Sequence, residues 1–188
     1  KLLETRKDKV RAIGVSNFSI EQMEQIAEIV PIDAHQLGYN LLWRFPEKDI
    51  IPYCADNNIA VVVYSALAHG ILSGKYQRQL TFDPDDQRWS ITLFRDTVWA
   101  GIFEYVEQMK ALANRSGYSL VHLALRWLLH QSAVTEVLVS AKNPQQALSN
   151  AQILTLDIDK RIFEELTAIS NDAMKQVPDE GNPFGYHP

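Results

Sequence analysis

Along this chain, runs of apolar β-branched residues alternate with stretches whose apolar positions recur every three or four residues. Short continuous apolar runs bounded by turn residues predict buried strands, and the 3.6-residue period predicts amphipathic helices. Val10–Val15 reads as a first strand, Ser16-Asn17-Phe18 as the turn after it, and Ile20–Val30 as a helix. Ser19 suits an N-cap, and Gln22 three residues on completes a capping box. Ala34–Gln36 predicts a short second strand. Pro46 opens a helix reaching about Asn57, because proline is tolerated in a first turn whose N–H groups are unpaired anyway. Ile59–Tyr64 is nearly all apolar, the pattern of a strand covered on both faces.

From Ala66 to Thr97 the periodicity stops. Gly70, Gly74, Pro84 and Asp85-Asp86 punctuate what reads as a long polar insertion, and loops of that length usually carry function or lack order. Helices over Ile102–Arg115 and Leu120–Leu129 follow, the second capped by Ser119. Val137–Val139 predicts a fourth strand. Asn143-Pro144-Gln145-Gln146 is a strong helix start, with Asn at the N-cap, Pro at N1 and Gln at N3. A last helix is expected over Asp159–Ser170, and the tail, residues 171–188, contains Pro and Gly and is expected to be irregular. This alternation implies one α/β domain over residues 1–188, with parallel strands joined by right-handed crossovers. An open doubly wound sheet and a (β/α)8 barrel both fit. The first lacks the G-x-G-x-x-G turn of dinucleotide folds, and the second typically takes about 250 residues, so four strands make half of one. Either places its chemistry at the carboxyl ends of the strands.

Composition narrows the partners. The 188 residues carry a net charge of −5, with acidic and basic residues interleaved. Nucleic-acid binding requires a basic stripe that releases counterions, and none is visible. No apolar run approaches the length of a membrane span. The single cysteine, Cys54, allows no intrachain disulfide and lies in a helical pattern, so a packed thiol in a reducing cytoplasm is expected.

The polar candidates fall after the strands: Ser16-Asn17, Gln36, Tyr64-Ser65 and Ser140-Ala141-Lys142. Ser, Asn and Gln both donate and accept, which suits a neutral amide. Tyr64 offers a flat face for stacking. Lys142 sits just before a helix N-terminus, where the backbone N–H groups already favour anions. An amide, an aromatic ring and phosphates describe a nicotinamide dinucleotide, although the same residue types also serve as turn and cap residues.

Four segments carry a resemblance. Arg11-Ala-Ile-Gly-Val-Ser-Asn-Phe-Ser19, Gln36-Leu-Gly-Tyr-Asn40, Tyr64-Ser-Ala-Leu-Ala-His-Gly-Ile-Leu-Ser-Gly-Lys75, and Ser140-Ala-Lys-Asn-Pro-Gln-Gln146 through Asn150 resemble the segments after strands five, six, seven and eight of the aldo-keto reductases, in that order. The resemblance covers the chain to about residue 170. It implies the second half of a TIM (β/α)8 barrel that binds NADP(H) and reduces a small-molecule aldehyde or ketone. Ser16, Asn17 and Gln36 would hold the nicotinamide carboxamide, and Tyr64 would stack on its ring. Ser65, Leu67, Gly70 and Lys75 would follow the pyrophosphate and ribose under the loop of residues 66–97. Ser140 would add a hydroxyl near the phosphates, Lys142 would pair with the 2′-phosphate, and Gln146 and Asn150 would meet the adenine. The chain departs from the common pattern at Ala66, where Pro is frequent, and at Ser140, where Gly is frequent.

Other candidates are weaker. His35 precedes Gln36 on a strand and so points to the opposite face. His122 and His130 stand eight apart on a helix, too far to share a metal. His69 lies in the loop, and Asp85-Asp86 has no third ligand nearby. Arg88 is either a phosphate clamp or an ion-paired surface residue. Trp43, Trp89, Trp99, Phe184 and Tyr186 are open to roles as substrate wall, core or interface. The resemblance places the family's proton donor, a Tyr tuned by a Lys, an Asp and a His, after strands two to four, so no catalytic residue is assigned here. The chain begins Lys1-Leu2-Leu3, without Met, in what reads as the end of a helix. A missing N-terminal half is therefore expected. A non-catalytic NADP(H)-binding module, or a half-barrel completed by a partner chain, is the alternative.

Overall fold

Neighbouring strands follow the chain in order. In the computed structural model, which describes residues 9–182 and 184, β1 (Gly14–Ser16), β2 (Ala34–Gly38), β3 (Ala60–Tyr64) and β4 (Val134–Val137) form one parallel sheet in the order β1-β2-β3-β4. Between and after them run α1 (Ile20–Ala27), α2 (Ile50–Asp56), α3 (Asp96–Arg115), α4 (Leu120–His130), α5 (Pro144–Gln152) and α6 (Lys160–Met174). A sequential order never reverses its winding, so right-handed crossovers keep the helices on one side of the sheet. Burial follows that rule. His35, Leu37, Val61 and Val63 are buried with Met23 of α1, Cys54 of α2 and Leu123 of α4. Ala34, Gln36, Ala60, Val62 and Tyr64, on the other face, stay partly open. This is the winding of a barrel wall and not of a doubly wound sheet.

The local signals held at the caps. Ser19 accepts from the Gln22 N–H while the Gln22 side chain accepts from the Ser19 N–H, closing the capping box. Ser119 caps α4 and Asn143 caps α5. Cys54 is buried as expected, and burial raises its thiol pKa to about 11.

Element boundaries differ where packing overrode the local pattern. The first strand begins at Gly14, not Val10, because its parallel register with β2 runs from Gly14 to Ser16. The first helix stops at Ala27, and the second strand extends to Gly38, paired with Tyr64. Pro46 sits in a separate 3-10 turn, Phe45–Glu47, and α2 begins only at Ile50, capped by the Asp49 carboxylate. The fourth strand lies at Val134–Val137, earlier than the apolar run Val137–Val139, because its register is set by Val61–Val63 across a bulge. Leu138 and Val139 remain exposed beyond it.

The segment from Ala66 to Thr97 is not a polar insertion. It folds through 3-10 turns at Ala68–Ser73, Gln87–Ser90 and Thr92–Phe94, and buries Ala66, Ala68, Ile71, Leu72, Ile91, Leu93 and Phe94. Tyr76, Phe82 and Phe94 meet edge to face, with ring centroids 5.3–5.5 Å apart, the arrangement aromatic quadrupoles favour. The next helix starts at Asp96 instead of Ile102, since Val98 and Trp99 are buried and the Trp99 indole donates to the Arg78 carbonyl at 2.8 Å.

The last helix continues past Ser170 to Met174, so the irregular tail is shorter than residues 171–188. Ser170 Oγ donates to the Leu41 carbonyl at 2.6 Å, Arg44 donates to Asn171 Oδ1 at 2.6 Å, and Ala173 is buried. These contacts give the extra turn partners it could not have alone.

Candidate functional site

The sheet register sets the site. Ser16 pairs with Gln36 and Gln36 with Val62, while Gly38 pairs with Tyr64 two positions on. Because paired residues in parallel strands point the same way and alternate residues share a face, Ser16, Gln36 and Tyr64 all lie on the open face. Asn17 follows Ser16 in the left-handed region, φ 60°, a conformation Asn tolerates better than other side-chain-bearing residues. Its N–H donates to the Gln36 carbonyl at 3.1 Å, which turns the chain inward over β2. The Tyr64 hydroxyl then donates to Asn17 Oδ1 at 2.9 Å. With Oδ1 taken, the Asn17 amide points its Nδ2 donors elsewhere. Burial raises the Tyr64 phenol above its ordinary pKa, so it stays protonated and donating.

The loop after β3 is built from residues in unusual conformations. Ser65 (φ 53°), Ala68 (φ 47°), His69 (φ 54°) and Gly70 (φ 93°) are all left-handed. Such strain persists only where surroundings hold it. Asn40, fully buried, donates to the Ser65 carbonyl at 3.0 Å and accepts the Leu42 N–H at 2.8 Å. Ser65 Oγ meets His69 Nε2 at 3.0 Å, and burial lowers the His69 pKa. The Leu67 carbonyl accepts from Gly70 and Leu72. A Cβ on Gly70 would stand 3.2 Å from both Cε and Nζ of Lys75, so Lys75 folds back over that glycine. Ser65, Leu67, Gly70 and Lys75 are thus one compact loop.

Ser140, Lys142, Gln146 and Asn150 form a second group beyond β4. Gln146 Oε1 accepts the Lys142 N–H at 2.8 Å, and Asn150 Nδ2 reaches the Ser140 carbonyl at 3.5 Å. These two side chains therefore tie the loop to α5. The pair Leu138 N–H to Val63 carbonyl, 2.8 Å, sets this loop beside the end of β3.

The remaining candidates have structural partners. Arg88 is ion-paired with Asp86 at 2.5 Å, lies 3.9 Å over the Phe82 ring and donates to Tyr76 Oη. Those bonds hold the Asp86 carboxyl down at about 2. No group of three or more His, Cys, Asp or Glu suited to a metal occurs among the described residues. His122 bonds Ser149, and His130 stacks on Phe163. Trp43 and Trp99 are core, whereas Trp89 packs edge-on against Phe82 at the surface. Phe184 lies nearly parallel to Tyr64, centroids 6.0 Å apart, and edge-on to His69 at 5.2 Å. Tyr186 and Lys1-Leu2-Leu3 lie outside the described residues. The Tyr39 phenol is driven well above its ordinary pKa by burial and by its bond to Glu47, the reverse of what a proton donor needs.

Sequence reasoning gave Asn40 no role and set His35 and His69 aside as weaker candidates. Asn40 sat at the end of a quoted segment, but its task depends on Ser65, 25 residues away. Their signal was a polar side chain beside a strand end, which does not reveal its partner.

Comparison with known proteins gives a consistent result. The family model described as "Aldo/keto reductase family" matches residues 1–171. "Aldo-keto reductase YhdN" of Bacillus subtilis (strain 168) is 39% identical over 162 residues, covering 86% of this chain and 49% of that protein. The "NADH-specific methylglyoxal reductase" of Escherichia coli (strain K12) is 30% identical over 161 residues, covering 84% and 49%. Among solved structures, a glycerol dehydrogenase, AKR11B4 from Gluconobacter oxydans, superimposes with a TM-score of 0.79 at 33% identity, over 94% of this chain and 53% of the other. The chain spans about half the length of these relatives.

Proposed function

The chain belongs to the aldo/keto reductase family, and on that premise we propose that it forms the cofactor-binding second half of a (β/α)8 reductase that uses NADPH to reduce aldehydes or ketones. One observation carries the reading: the Tyr64 hydroxyl and the Asn17 amide, 47 residues apart, meet at 2.9 Å beside Ser16 and Gln36. A flat ring edged by three amide or hydroxyl side chains matches a nicotinamide and its carboxamide in both shape and donor chemistry. The parallel packing of Phe184 on Tyr64 is consistent with a face that accepts a flat aromatic group.

NADPH, when bound, supplies hydride. The residues of this chain bind and orient. Asn17, Gln36 and Ser16 hold the carboxamide and so select the ring face turned to the substrate, and Tyr64 backs the ring. The loop Ser65–Lys75 follows the pyrophosphate, with the Lys75 ammonium close to Gly70. Lys142, just before the capped start of α5, reads the 2′-phosphate, because cation and helix N-terminus both favour an anion there. One relative's name declares NADH specificity, so the preference for NADPH rests on Lys142 and not on family membership. Proton donation falls to residues outside this stretch.

The completing partner is a further set of strands. Among the described residues β1 and β4 each pair on one side only, and Leu138, Val139, Leu148 and Leu154 are exposed near β4 and α5. Unpaired edges beside apolar surface call for cover. No helix among the described residues is long and apolar enough to cross a membrane, and the free thiol Cys54 accords with a cytoplasmic setting. Titration with NADPH, followed by quenching of tryptophan emission, tests the reading. Saturable binding weakened by Asn17→Ala and by Lys142→Ala is expected, and an unresponsive emission at millimolar cofactor refutes it.

A further inference from the structure

His35 is fully buried on the helix-covered face of β2, on the opposite side of the sheet from Gln36. Its ring makes two contacts. Nε2 lies 3.2 Å from the backbone N of Phe18, and Nδ1 lies 3.8 Å from Cys54 Sγ. A backbone N–H can only donate, so Nε2 must present its lone pair, and a neutral ring then carries its proton on Nδ1, facing the Cys54 sulfur. The tautomer is fixed by the fold. An imidazolium would set two N–H groups against each other at Phe18, and burial disfavours that form, lowering the pKa to about 4.

The consequence lies one residue away. β2 grips consecutive N–H groups of the turn after β1: the Gln36 carbonyl takes that of Asn17 at 3.1 Å and the His35 ring takes that of Phe18 at 3.2 Å. Between these two anchors Asn17 is held left-handed, the conformation from which its Oδ1 meets the Tyr64 hydroxyl. A carbonyl from β2 is always available to such a turn. An acceptor projecting from the buried face is not, and an aliphatic residue at position 35 would leave the Phe18 N–H without one.

We propose that His35, as the neutral Nδ1-protonated imidazole, is a positioning residue: it clamps the Ser16–Phe18 turn and thereby aims the Asn17 side chain at Tyr64 and the open face. The clamp stands on geometry alone. Only its final step, that Asn17 then meets a nicotinamide carboxamide, rests on the proposed function.

Nitrogen-15 NMR of the native protein tests the clamp without mutation. His35 is expected in the Nδ1–H tautomer, with a coupling across the hydrogen bond between the Phe18 amide nitrogen and Nε2. An Nε2–H tautomer overturns the proposal. Two variants then separate aiming from packing. His35→Leu keeps bulk and removes the acceptor, and His35→Gln restores an acceptor oxygen near Nε2. Amide exchange at Phe18 should accelerate roughly 10-fold or more in His35→Leu, the scale of one bond left unmade, and return toward wild type in His35→Gln. The Asn17 side-chain amide resonances should move in the first variant and recover in the second. Unmoved Asn17 resonances in a folded His35→Leu protein also overturn the proposal. NADPH titration of the same proteins reports separately on function: an intact clamp without cofactor binding refutes the proposed function and leaves the positioning role standing.

Discussion

The Tyr64 hydroxyl donates to Asn17 Oδ1 across 2.9 Å, joining the end of β3 to the turn after β1 over the intervening β2. The bond orients an amide with an aromatic ring that itself stands on a different strand. Tyr64→Phe keeps the ring and deletes the bond, so Asn17 is free to rotate. Misplacing a reacting atom by about 1 Å costs up to about 100-fold in rate, whereas one hydrogen bond is worth about 1 kcal/mol. If the protein is the NADPH-dependent reductase proposed above, its turnover should therefore fall roughly 10-fold or more while the NADPH dissociation constant changes by less than about fivefold. Tyr64→Ala, which also removes the stacking face, should lower turnover further. Steady-state kinetics beside equilibrium binding decide it, and unchanged turnover in both variants makes Tyr64 a packing residue.

Lys142 should discriminate between cofactors. NADPH and NADH differ by the 2′-phosphate, so a side chain that reads only that group affects one and spares the other. A charge-assisted bond is worth roughly 1.5–3 kcal/mol, a 10- to 100-fold change in affinity. Lys142→Ala is expected to weaken NADPH by that order, leave NADH nearly unchanged and flatten the salt dependence of NADPH binding. Equal weakening of both would mean that the Lys142 side chain supports the loop and does not read the phosphate, since its backbone N–H, which donates to Gln146, survives the substitution.

Acid should loosen the fold partly through His35. In the unfolded chain its imidazole takes a proton below about pH 6.5, but in the folded protein burial delays this to about 4. Between those values the unfolded state binds more protons, so the stability His35 allows is complete above pH 6.5 and is lost as pH falls toward 4. A gap of that width corresponds to about 3 kcal/mol. His35→Gln should flatten the fall in denaturation midpoint from pH 7 to pH 4. A parallel profile in the variant would assign the acid sensitivity to other groups, such as the half-buried His69, whose pKa is also lowered.

Tyr76 links the segment after β3 to its own loop. Its hydroxyl accepts from Arg88 at 2.9 Å and donates to the His69 carbonyl at 3.2 Å, while its ring packs on Phe82 and Phe94. Tyr76→Phe preserves the packing and removes both bonds. A loss of about 1–2 kcal/mol in unfolding free energy is expected, with faster proteolysis between Tyr76 and Trp89 than in wild type. Wild-type stability and cleavage would show that the aromatic cluster alone holds the segment.

Much of this was legible in the residues. The caps at Ser19, Ser119 and Asn143, the all-apolar run of β3, and the placing of Ser16, Asn17 and Tyr64 at strand ends follow from local chemistry, because a cap or a buried strand is decided by neighbours in sequence, whereas Gln36 proved to be the middle residue of β2. The strand order was implied by alternation, since a short crossover brings successive strands side by side. What tertiary structure alone decided involves partners distant in the chain. The apolar run Val137–Val139 looked like the fourth strand, but pairing with Val61–Val63 moved it to Val134–Val137 and left Leu138 and Val139 outside. The stretch from Ala66 to Thr97 looked polar because its buried residues sit in 3-10 turns without a fixed period, yet Ile71, Leu72, Leu93 and Phe94 are fully buried. Sequence placed His35 on the face opposite Gln36, and only the fold gave its ring Phe18 to hold and Cys54 to meet. A side chain's own chemistry lists what it is able to bond. Which group stands within 3 Å of it is settled by strands brought together from far along the chain.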